Sequence, residues 1–260
     1  MTTPGQNLKR RLRAGDVTIG AWISFAESAV AEIMAGTGFD WILIDTEHAP
    51  FSPEGLQTVL MAFNGRESVP IVRVPWNNPA IIKQALDLGA GGVLVPMVNT
   101  ADEARAAVAA CRYPPEGIRG FGPRRASDYY RRVVEYVASA NESVIVALQI
   151  EHMEAVKNVA DIVAVPGIDV ICLGPNDLSG SMGLLGQIEH PSVIEAITRV
   201  LDEAARHRIT TCLGMAFTPA VNRQWVSRGA RFIIAAEDQT VLRVGVAEAL
   251  RQNRASLSGS

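Results

Sequence analysis

Short apolar runs alternate with amphipathic segments along almost the whole chain. A short apolar run bounded by glycine, proline or polar residues is typical of a buried β-strand, whereas apolar residues spaced three and four apart are typical of a helix. The pattern predicts strands at residues 18–24, 41–45, 71–74, 92–97, 144–150, 169–173, 210–214 and 232–235. It predicts helices near residues 27–36, 53–64, 79–89, 101–111, 153–164, 191–207, 219–229 and 238–251.

Glycine and proline mark the limits of many of these helices. Glycine follows the predicted helices in the stretches 35–40, 88–92 and 228–232, where it is the expected C-terminal cap. Proline, whose fixed φ suits the first helical turn, stands at or near that position at Pro53, Pro79, Pro191 and Pro219. The chain therefore reads as a series of strand–helix units.

Eight such units predict an α/β fold, a (β/α)8 TIM barrel, as a single domain over residues 1–255. A basic segment at 6–14 predicts an extra N-terminal helix, and residues 256–260 are predicted to form a disordered tail. The alternative is an open doubly wound sheet, but residues 24–27 are not the glycine-rich turn that often follows its first strand. The one long connection, residues 113–143, is predicted to be a lid or a binding loop.

Composition excludes several classes of function. The hydrophobic content of 48% and the mean hydropathy of +0.15 suit a large core. No apolar run is long enough to span a bilayer, and the start lacks a signal-peptide core, so no membrane partner is expected. A net charge of −3 with scattered basic residues argues against a nucleic-acid partner. The three separated cysteines predict buried free thiols and a cytoplasmic location.

The positions of the lysines argue against a Schiff-base mechanism. The chain contains only Lys9, Lys83 and Lys157, and each falls in a polar or helical context. None stands at the end of a predicted strand, where a barrel enzyme would place a Schiff-base amine. Carbonyl chemistry in this chain would therefore need another electrophile, for which a metal ion is the obvious substitute.

Two carboxylates occupy strand ends. Glu151 and Asp177 each follow an apolar run, and one helix-sized segment separates them, so they are expected at the same end of neighbouring parallel strands. Gln149 shares a face with Glu151 because residues two apart on a strand point the same way. Converging carboxylate oxygens suit a hard divalent cation. The alternative is a helix-capping glutamate and a turn aspartate that never meet.

Three further residues are candidates for chemistry. His48 follows the second predicted strand and suits a general base, although it could instead cap the helix that begins near Pro53. Arg73 lies within an apolar strand and must meet an anion, either a substrate oxygen or an internal acid. Asp87 ends a predicted helix, where the helix dipole disfavours an acid, which indicates a specific partner elsewhere.

Several strings occur together and in order. They are residues 38–50, 72–75, 94–97, 113–120, 149–151 and 174–179. With this set the chain resembles the HpcH/HpaI aldolase/citrate lyase family, in particular its metal-dependent (class II) pyruvate aldolases, over roughly residues 18–250. The resemblance implies a (β/α)8 barrel that forms a hexamer, a trimer of dimers, by exchanging the last helix between subunits. It also implies a divalent cation, Mg²⁺, Mn²⁺ or Co²⁺, that binds a 2-oxo acid.

The same resemblance implies roles at the metal and around it. Glu151 and Asp177 would be metal ligands, and Asp177 would also contact the substrate together with Gln149 and the backbone amide of Asn176. The family commonly has alanine or another small residue at the position of Asn176, which is a departure that a backbone contact tolerates. Residues 121–127 also differ from the sequence usual in the family, and the resemblance implies that this loop faces the aldehyde half of the substrate.

The remaining implied roles concern proton transfer and charge. Arg73 would stabilise a pyruvate enolate, His48 would take part in proton transfer, and Asp87 of a neighbouring subunit would raise the basicity of that histidine. The implied reaction is the reversible cleavage of a 4-hydroxy-2-oxo acid to pyruvate and an aldehyde.

Other functions remain open at this point. One is an acyl-CoA lyase, although only Arg124 and Arg125 form a basic cluster for CoA phosphates. A second is an enzyme that decarboxylates an oxo acid and adds the enolate elsewhere. The third is a non-catalytic barrel that binds 2-oxo acids.

Overall fold

The computed structural model describes residues 2–216 and 218–258. Its centre is a closed barrel of parallel strands in which neighbours in sequence pair and β8 pairs with β1. The strands are β1 (Thr18–Ile23), β2 (Trp41–Asp45), β3 (Val69–Arg73), β4 (Gly92–Val95), β5 (Ile145–Ile150), β6 (Val170–Leu173), β7 (Thr210–Leu213) and β8 (Phe232–Glu237). The (β/α)8 TIM-barrel prediction is confirmed, and closure of the sheet excludes the open-sheet alternative.

Helices surround the barrel. They are α1 (Pro4–Ala14), α2 (Ser28–Ala35), α3 (Pro53–Met61), α4 (Pro79–Asp87), α5 (Ala101–Cys111), α6 (Val133–Ser143), α7 (Met153–Lys157), α8 (Val159–Val163), α9 (Pro175–Ser181), α10 (Pro191–Arg206), α11 (Pro219–Ser227) and α12 (Asp238–Ser258). The extra N-terminal helix that the sequence predicts is α1.

Two helices lie where the sequence predicts none, and one predicted helix is divided. The loop prediction for residues 113–143 is wrong for its last third, which forms α6, and α9 begins two residues after β6. Ala140 is the only fully buried residue of α6, so this helix has almost no apolar stripe by which periodicity could reveal it. The helix predicted at 153–164 is divided at Asn158, which ends α7 and precedes α8.

Side chains and α1 together close the amino-terminal end of the barrel. Leu8 and Leu12 of α1 belong to the cluster of apolar residues inside the barrel. Buried Lys9 forms an ion pair with Asp169 at 3.0 Å, which anchors the helix in place. Because α1 closes the amino-terminal end, the barrel is open at the carboxyl ends of the strands.

The last helix, α12, is attached to the barrel by its first turn. There the Asp238 carboxylate accepts hydrogen bonds from the backbone amides of Ser24 and Phe25, at 2.9 and 2.8 Å. Beyond that turn, large apolar side chains are more than half exposed at Val241, Leu242, Val244, Val246 and Leu250. The helix reaches Ser258, so the predicted tail begins inside it, while residues 259 and 260 lie outside the described residues.

Within the described residues, no helix combines the length and the apolar character needed to cross a membrane.

Candidate active site

A cavity of about 610 Å³ lies at the carboxyl ends of the strands. Asp45 and Arg73 are the last residues of β2 and β3, Glu151 directly follows β5, and α9 begins two residues after β6. The cavity is lined by Trp22, Ser24, Asp45, His48, Arg73, Gln149, Gly174, Pro175, Asn176, Asp177, Gly214, Met215, Ala216, Glu237, Gln239 and Thr240. The barrel topology thus gathers side chains that are far apart in sequence at one end of the molecule.

Glu151 is held beside this cavity by two donors. Its Oε1 accepts a hydrogen bond from the Met97 amide at 2.7 Å, and its Oε2 accepts one from the Gln149 side-chain amide. Glu151 is buried, and burial raises the pKa of its carboxyl above the ordinary value. A Cβ at Gly174 would lie 2.7 Å from Oε2, so glycine keeps the space around the carboxylate open.

Asp177 faces the same region from the first turn of α9. The Asp177 side chain is exposed, and its charge is one of the influences that raise the pKa of Glu151. Asp177 lines the cavity together with Gly174, which lies against the Glu151 carboxylate, and this argues against the alternative in which the two acids never meet. Glu151 is also not a helix cap, because α7 is capped by His152.

The two acids are candidate ligands for a divalent cation. Among the described residues, no group of three or more histidine, cysteine, aspartate or glutamate side chains converges on one point. The two carboxylates would therefore supply part of a coordination shell and leave the rest to substrate and water, as is usual for Mg²⁺. The open space that Gly174 leaves beside the buried Glu151 carboxylate fits such an ion.

Arg73 is held in place by two acids. Its Nε and Nη2 donate to the two oxygens of Asp45 at 2.9 and 2.6 Å, and Glu47 Oε2 lies 3.2 Å from Nε. The guanidinium also lies over the Trp22 ring, 4.6 Å from its centroid. The internal ion pair considered for Arg73 therefore exists, and the residue lines the cavity as well. The ion-pair interpretation is confirmed, whereas the contact with a substrate oxygen stays a prediction.

Glu47 is a member of the site to which the sequence assigns no role. Its side chain is 15% exposed, and Oε2 is fully shielded from solvent. Burial, opposed by Arg73 and reinforced by Glu151, raises the pKa of Glu47 to about 7. The sequence places Glu47 at a strand end, two residues after Asp45, but does not predict its burial or its contact with Arg73.

His48 lies at the rim of the cavity. Its imidazole is 66% exposed, and Nε2 lies 3.8 Å from Glu47 Oε2. The backbone amide of His48 donates to Asp45 Oδ1 at 3.2 Å. The helix-capping alternative is excluded, because Ser52 caps α3 by accepting a hydrogen bond from the Gly55 amide.

Asp87 lies at the opposite end of the barrel from His48 within the chain, because α4 runs back toward the start of β4. The sequence predicts a specific partner for this acid at a helix C-terminus, and the partner is Arg119. Arg119 Nη2 donates to Asp87 Oδ1 at 2.6 Å and to the Tyr136 hydroxyl at 3.0 Å. One chain alone therefore does not bring Asp87 and His48 together.

The connection after α5 is fastened to that same far end. Arg125 donates to the carbonyl oxygens of Leu60 and Leu88 and to Asn64 Oδ1, which ties the loop to the C-terminal ends of α3 and α4. The prediction that this loop faces the aldehyde half of the substrate does not hold within one chain. It would require the loop of a second copy.

The fold is a (β/α)8 barrel with a cavity at the carboxyl ends of its strands, which is where barrel enzymes place their active sites. The sequence profile described as HpcH/HpaI aldolase/citrate lyase matches residues 18–244. The chain belongs to the HpcH/HpaI aldolase/citrate lyase family.

Individual relatives agree with this assignment. The 4-hydroxy-2-oxo-heptane-1,7-dioate aldolase of Salmonella typhimurium is 45% identical over 243 residues, covering 93% of this chain and 92% of the relative. The crystal structure of an HpcH/HpaI aldolase/citrate lyase family protein from Burkholderia cenocepacia J2315 is 36% identical, with a TM-score of 0.91 over 96% of this chain and 99% of the other. The crystal structure of citrate synthase SbnG is 28% identical, with a TM-score of 0.86 over 96% and 98% of the two chains.

Proposed function

We propose that the protein is a divalent-metal-dependent carbon–carbon lyase, a class II pyruvate aldolase that reversibly cleaves a 4-hydroxy-2-oxo acid to pyruvate and an aldehyde. The observation that carries the proposal is the pair of carboxylates, Glu151 and Asp177, at one end of the barrel with Gln149 and the fixed Arg73. The 45% identity to a relative named as an aldolase supports the same reaction type.

Glu151 and Asp177 would hold the cation, which is Mg²⁺, Mn²⁺ or Co²⁺ in this proposal. When bound, such an ion supplies Lewis-acid polarisation of the substrate's 2-oxo group. Gln149 and the backbone amide of Asn176 would orient the 2-oxo acid beside these carboxylates. Gln149 Oε1 is buried and accepts no hydrogen bond from the described residues, so it can accept one from a hydroxyl group or a water molecule in the cavity.

Arg73 would stabilise the negative charge that develops on the pyruvate enolate. Since Asp45 holds two of its nitrogens and Trp22 lies under its plane, the guanidinium needs no reorganisation during the reaction. A preorganised donor of this kind is the usual source of electrostatic stabilisation in enzymes.

His48 would take the proton from the 4-hydroxyl group as the C3–C4 bond breaks. The aldehyde leaves, the bonding electrons pass into the enolate, and a proton returned to C3 completes pyruvate. Asp87 of a neighbouring copy would increase the basicity of His48, since Asp87 of the same chain lies at the other end of the barrel.

We also propose a homo-oligomer, a hexamer built as a trimer of dimers. The exposed apolar side chains of α12 support an exchange of this helix between copies, because apolar surface of that extent is normally covered. The three free, buried cysteines of the described chain support a cytoplasmic location.

Removing the metal tests the proposal. Thorough treatment with EDTA should abolish pyruvate release from a 4-hydroxy-2-oxo acid, followed with lactate dehydrogenase, and Mn²⁺ or Mg²⁺ should restore it. The coupling enzyme alone, assayed with pyruvate and EDTA, is the control. Cleavage that survives complete chelation would contradict the metal-dependent mechanism.

A further inference from the structure

A second cavity, of about 290 Å³, lies at the amino-terminal end of the barrel, away from the candidate active site. Its walls are the start of α1, the segments that lead into β3, β4 and β5, the C-terminal ends of α3 and α4, and parts of the chain between Arg119 and the end of α6. This cavity, the α1–α6 cavity, is therefore walled on several sides by a single chain.

Every charged side chain that lines the α1–α6 cavity is an arginine. Arg66, Arg119 and Arg125 line it, whereas no aspartate or glutamate does so among the described residues. The whole chain carries a net charge of −3, so this local excess of positive charge is not a general property of the molecule. A concave surface with this lining attracts anions.

Two of the three guanidinium groups have no carboxylate partner in the part of the chain that the structure describes. Arg125 is half-buried, and it donates to two carbonyl oxygens at helix ends and to a side-chain amide oxygen, which are all neutral acceptors. Arg66 is exposed, and its guanidinium makes no hydrogen bond or ion pair with the described residues. Only Arg119 meets an acid, Asp87, at 2.6 Å.

Glycine makes room for the Arg125 guanidinium beside the cavity. Gly89 has a φ of +98°, a conformation that favours glycine, and a Cβ at this position would collide with Arg125 Nη1. The backbone after α4 therefore prepares the position of this positive charge.

Two buried polar atoms of the lining residues lack a hydrogen-bond partner among the described residues. They are the hydroxyl oxygen of Ser68, a residue that is 4% exposed, and Nε of Arg119, whose side chain is 2% exposed. A buried donor without a partner is unfavourable, so such groups normally meet water or a ligand. Both groups can donate to a carboxylate, whose oxygens only accept.

Apolar side chains complete the walls. Leu60, Phe63, Val69 and Leu86 line the cavity, and each is buried. An inorganic anion would leave this apolar surface in contact with water, whereas a ligand with an apolar body would cover it. The cavity has about half the volume of the candidate active site, which limits its occupant to a small molecule.

From these observations we propose that the α1–α6 cavity is a second ligand site, which binds a small carboxylate with an apolar body. The carboxylate accepts hydrogen bonds from Ser68 and from Arg119 Nε, and it balances the positive charge of Arg125 and Arg66. The apolar body packs on the leucine, phenylalanine and valine side chains. This proposal does not depend on the aldolase function.

The test uses 4-fluorobenzoate, which has one carboxylate, one apolar ring and a fluorine signal for NMR. Titration of the full-length protein in EDTA should give saturable changes in that signal. The amide of the same shape, 4-fluorobenzamide, should bind about tenfold more weakly or worse, because it cannot form charge-assisted hydrogen bonds. Inorganic phosphate, which has charge but no apolar body, should not displace the probe at equal concentration.

Variants assign the binding to residues. Ser68→Ala should weaken binding about tenfold, since it removes a buried hydrogen bond to a charged group. Arg66→Gln should weaken it about threefold, as expected for an exposed charge. Arg13→Gln, at an exposed position of α1 outside this cavity, is the matched control. Arg73→Lys, in the other cavity, should also leave the affinity unchanged, and thermal unfolding of each variant checks the fold.

Several results would overturn the proposal. They are a lack of saturation, equal affinities for the acid and the amide, and displacement of the probe by an equal concentration of phosphate. Unchanged affinity in both Ser68→Ala and Arg66→Gln would have the same meaning. Loss of binding in Arg73→Lys would place the probe in the candidate active site instead.

Discussion

Arg73 is a structural group, paired with Asp45, and at the same time a proposed functional group of the cavity. Asp45 holds the guanidinium of Arg73 in one orientation within the barrel. A solvent-exposed arginine would lose conformational entropy when it became ordered around a substrate. Because of this pairing, removal of the whole Arg73 side chain would leave buried carboxylates without a partner and would destabilise the protein. A loss of activity in such a variant could then come from unfolding and not from the chemistry. A conservative change is therefore the informative one.

Arg73→Lys should lower kcat for pyruvate release by about two orders of magnitude, the usual effect of losing one preorganised donor to a developing oxyanion. The lysine keeps the positive charge but cannot bind Asp45 with two nitrogens. Steady-state kinetics with circular dichroism as a fold check measures this. Arg105→Lys, at an exposed position of α5, is the control, and nearly full activity in Arg73→Lys would remove Arg73 from the reaction.

Glu47 gives the site a dependence on pH in the metal-free protein. Its pKa is raised to about 7 in the folded state, against an ordinary value of 4.5. The folded state therefore binds the proton more tightly, so stability is full below pH 4.5 and falls as the pH rises toward 7. The loss is on the order of 3 kcal/mol for a shift of this size.

Glu47→Gln should remove that loss. Relative to the unsubstituted protein, the variant should be more stable at pH 8 and equally stable at pH 4.5, measured by urea denaturation in the presence of EDTA. Glu195→Gln serves as the control for removing an exposed carboxylate. Equal stability differences at the two pH values would show that Glu47 is not perturbed.

At the scale of elements, α1 closes the amino-terminal end of the barrel. Its apolar side chains Leu8 and Leu12 join the interior cluster, and its buried Lys9 pairs with Asp169, just before β6. The helix therefore packs at the end of the barrel away from the proposed active site. We expect it to contribute to stability and not to chemistry.

Leu8→Ala should destabilise the protein by about 3 kcal/mol, because it leaves a cavity in a packed interior. At temperatures where the variant stays folded, KM for the 2-oxo acid should be unchanged, since α1 lies at the closed end of the barrel. Denaturant titration and steady-state kinetics measure the two effects. Ile33→Ala, at a side chain that is 73% exposed, should change stability by less than about 0.5 kcal/mol.

At the scale of the whole molecule, the apolar surface of α12 and the position of Asp87 point to the same conclusion. The apolar surface of α12 is left exposed by the described residues of a single chain. Asp87 lies at the end of the barrel opposite His48, its proposed partner in proton transfer. A second copy of the chain would resolve both, so assembly and activity should be lost together.

The double substitution Val246→Asp and Leu250→Asp should convert the oligomer into smaller species, because charges placed on an apolar interface oppose its burial. Analytical ultracentrifugation measures the mass, and the pyruvate assay should show a parallel loss of activity. Ile33→Asp on α2 is the control. A double variant that keeps the mass of the unsubstituted protein would place the interface elsewhere.

The sequence by itself determined the eight strands, most helices and the strand ends at which Arg73, Glu151 and Asp177 stand, because these follow from local periodicity and from turn residues. It did not reveal α6, whose single buried residue leaves no periodic signal. Nor did it reveal which charged groups pair with one another. The ion pairs of Arg73 with Asp45 and of Arg119 with Asp87 are decided only by the tertiary structure, because strand register and helix packing bring residues that are distant in sequence within hydrogen-bond range.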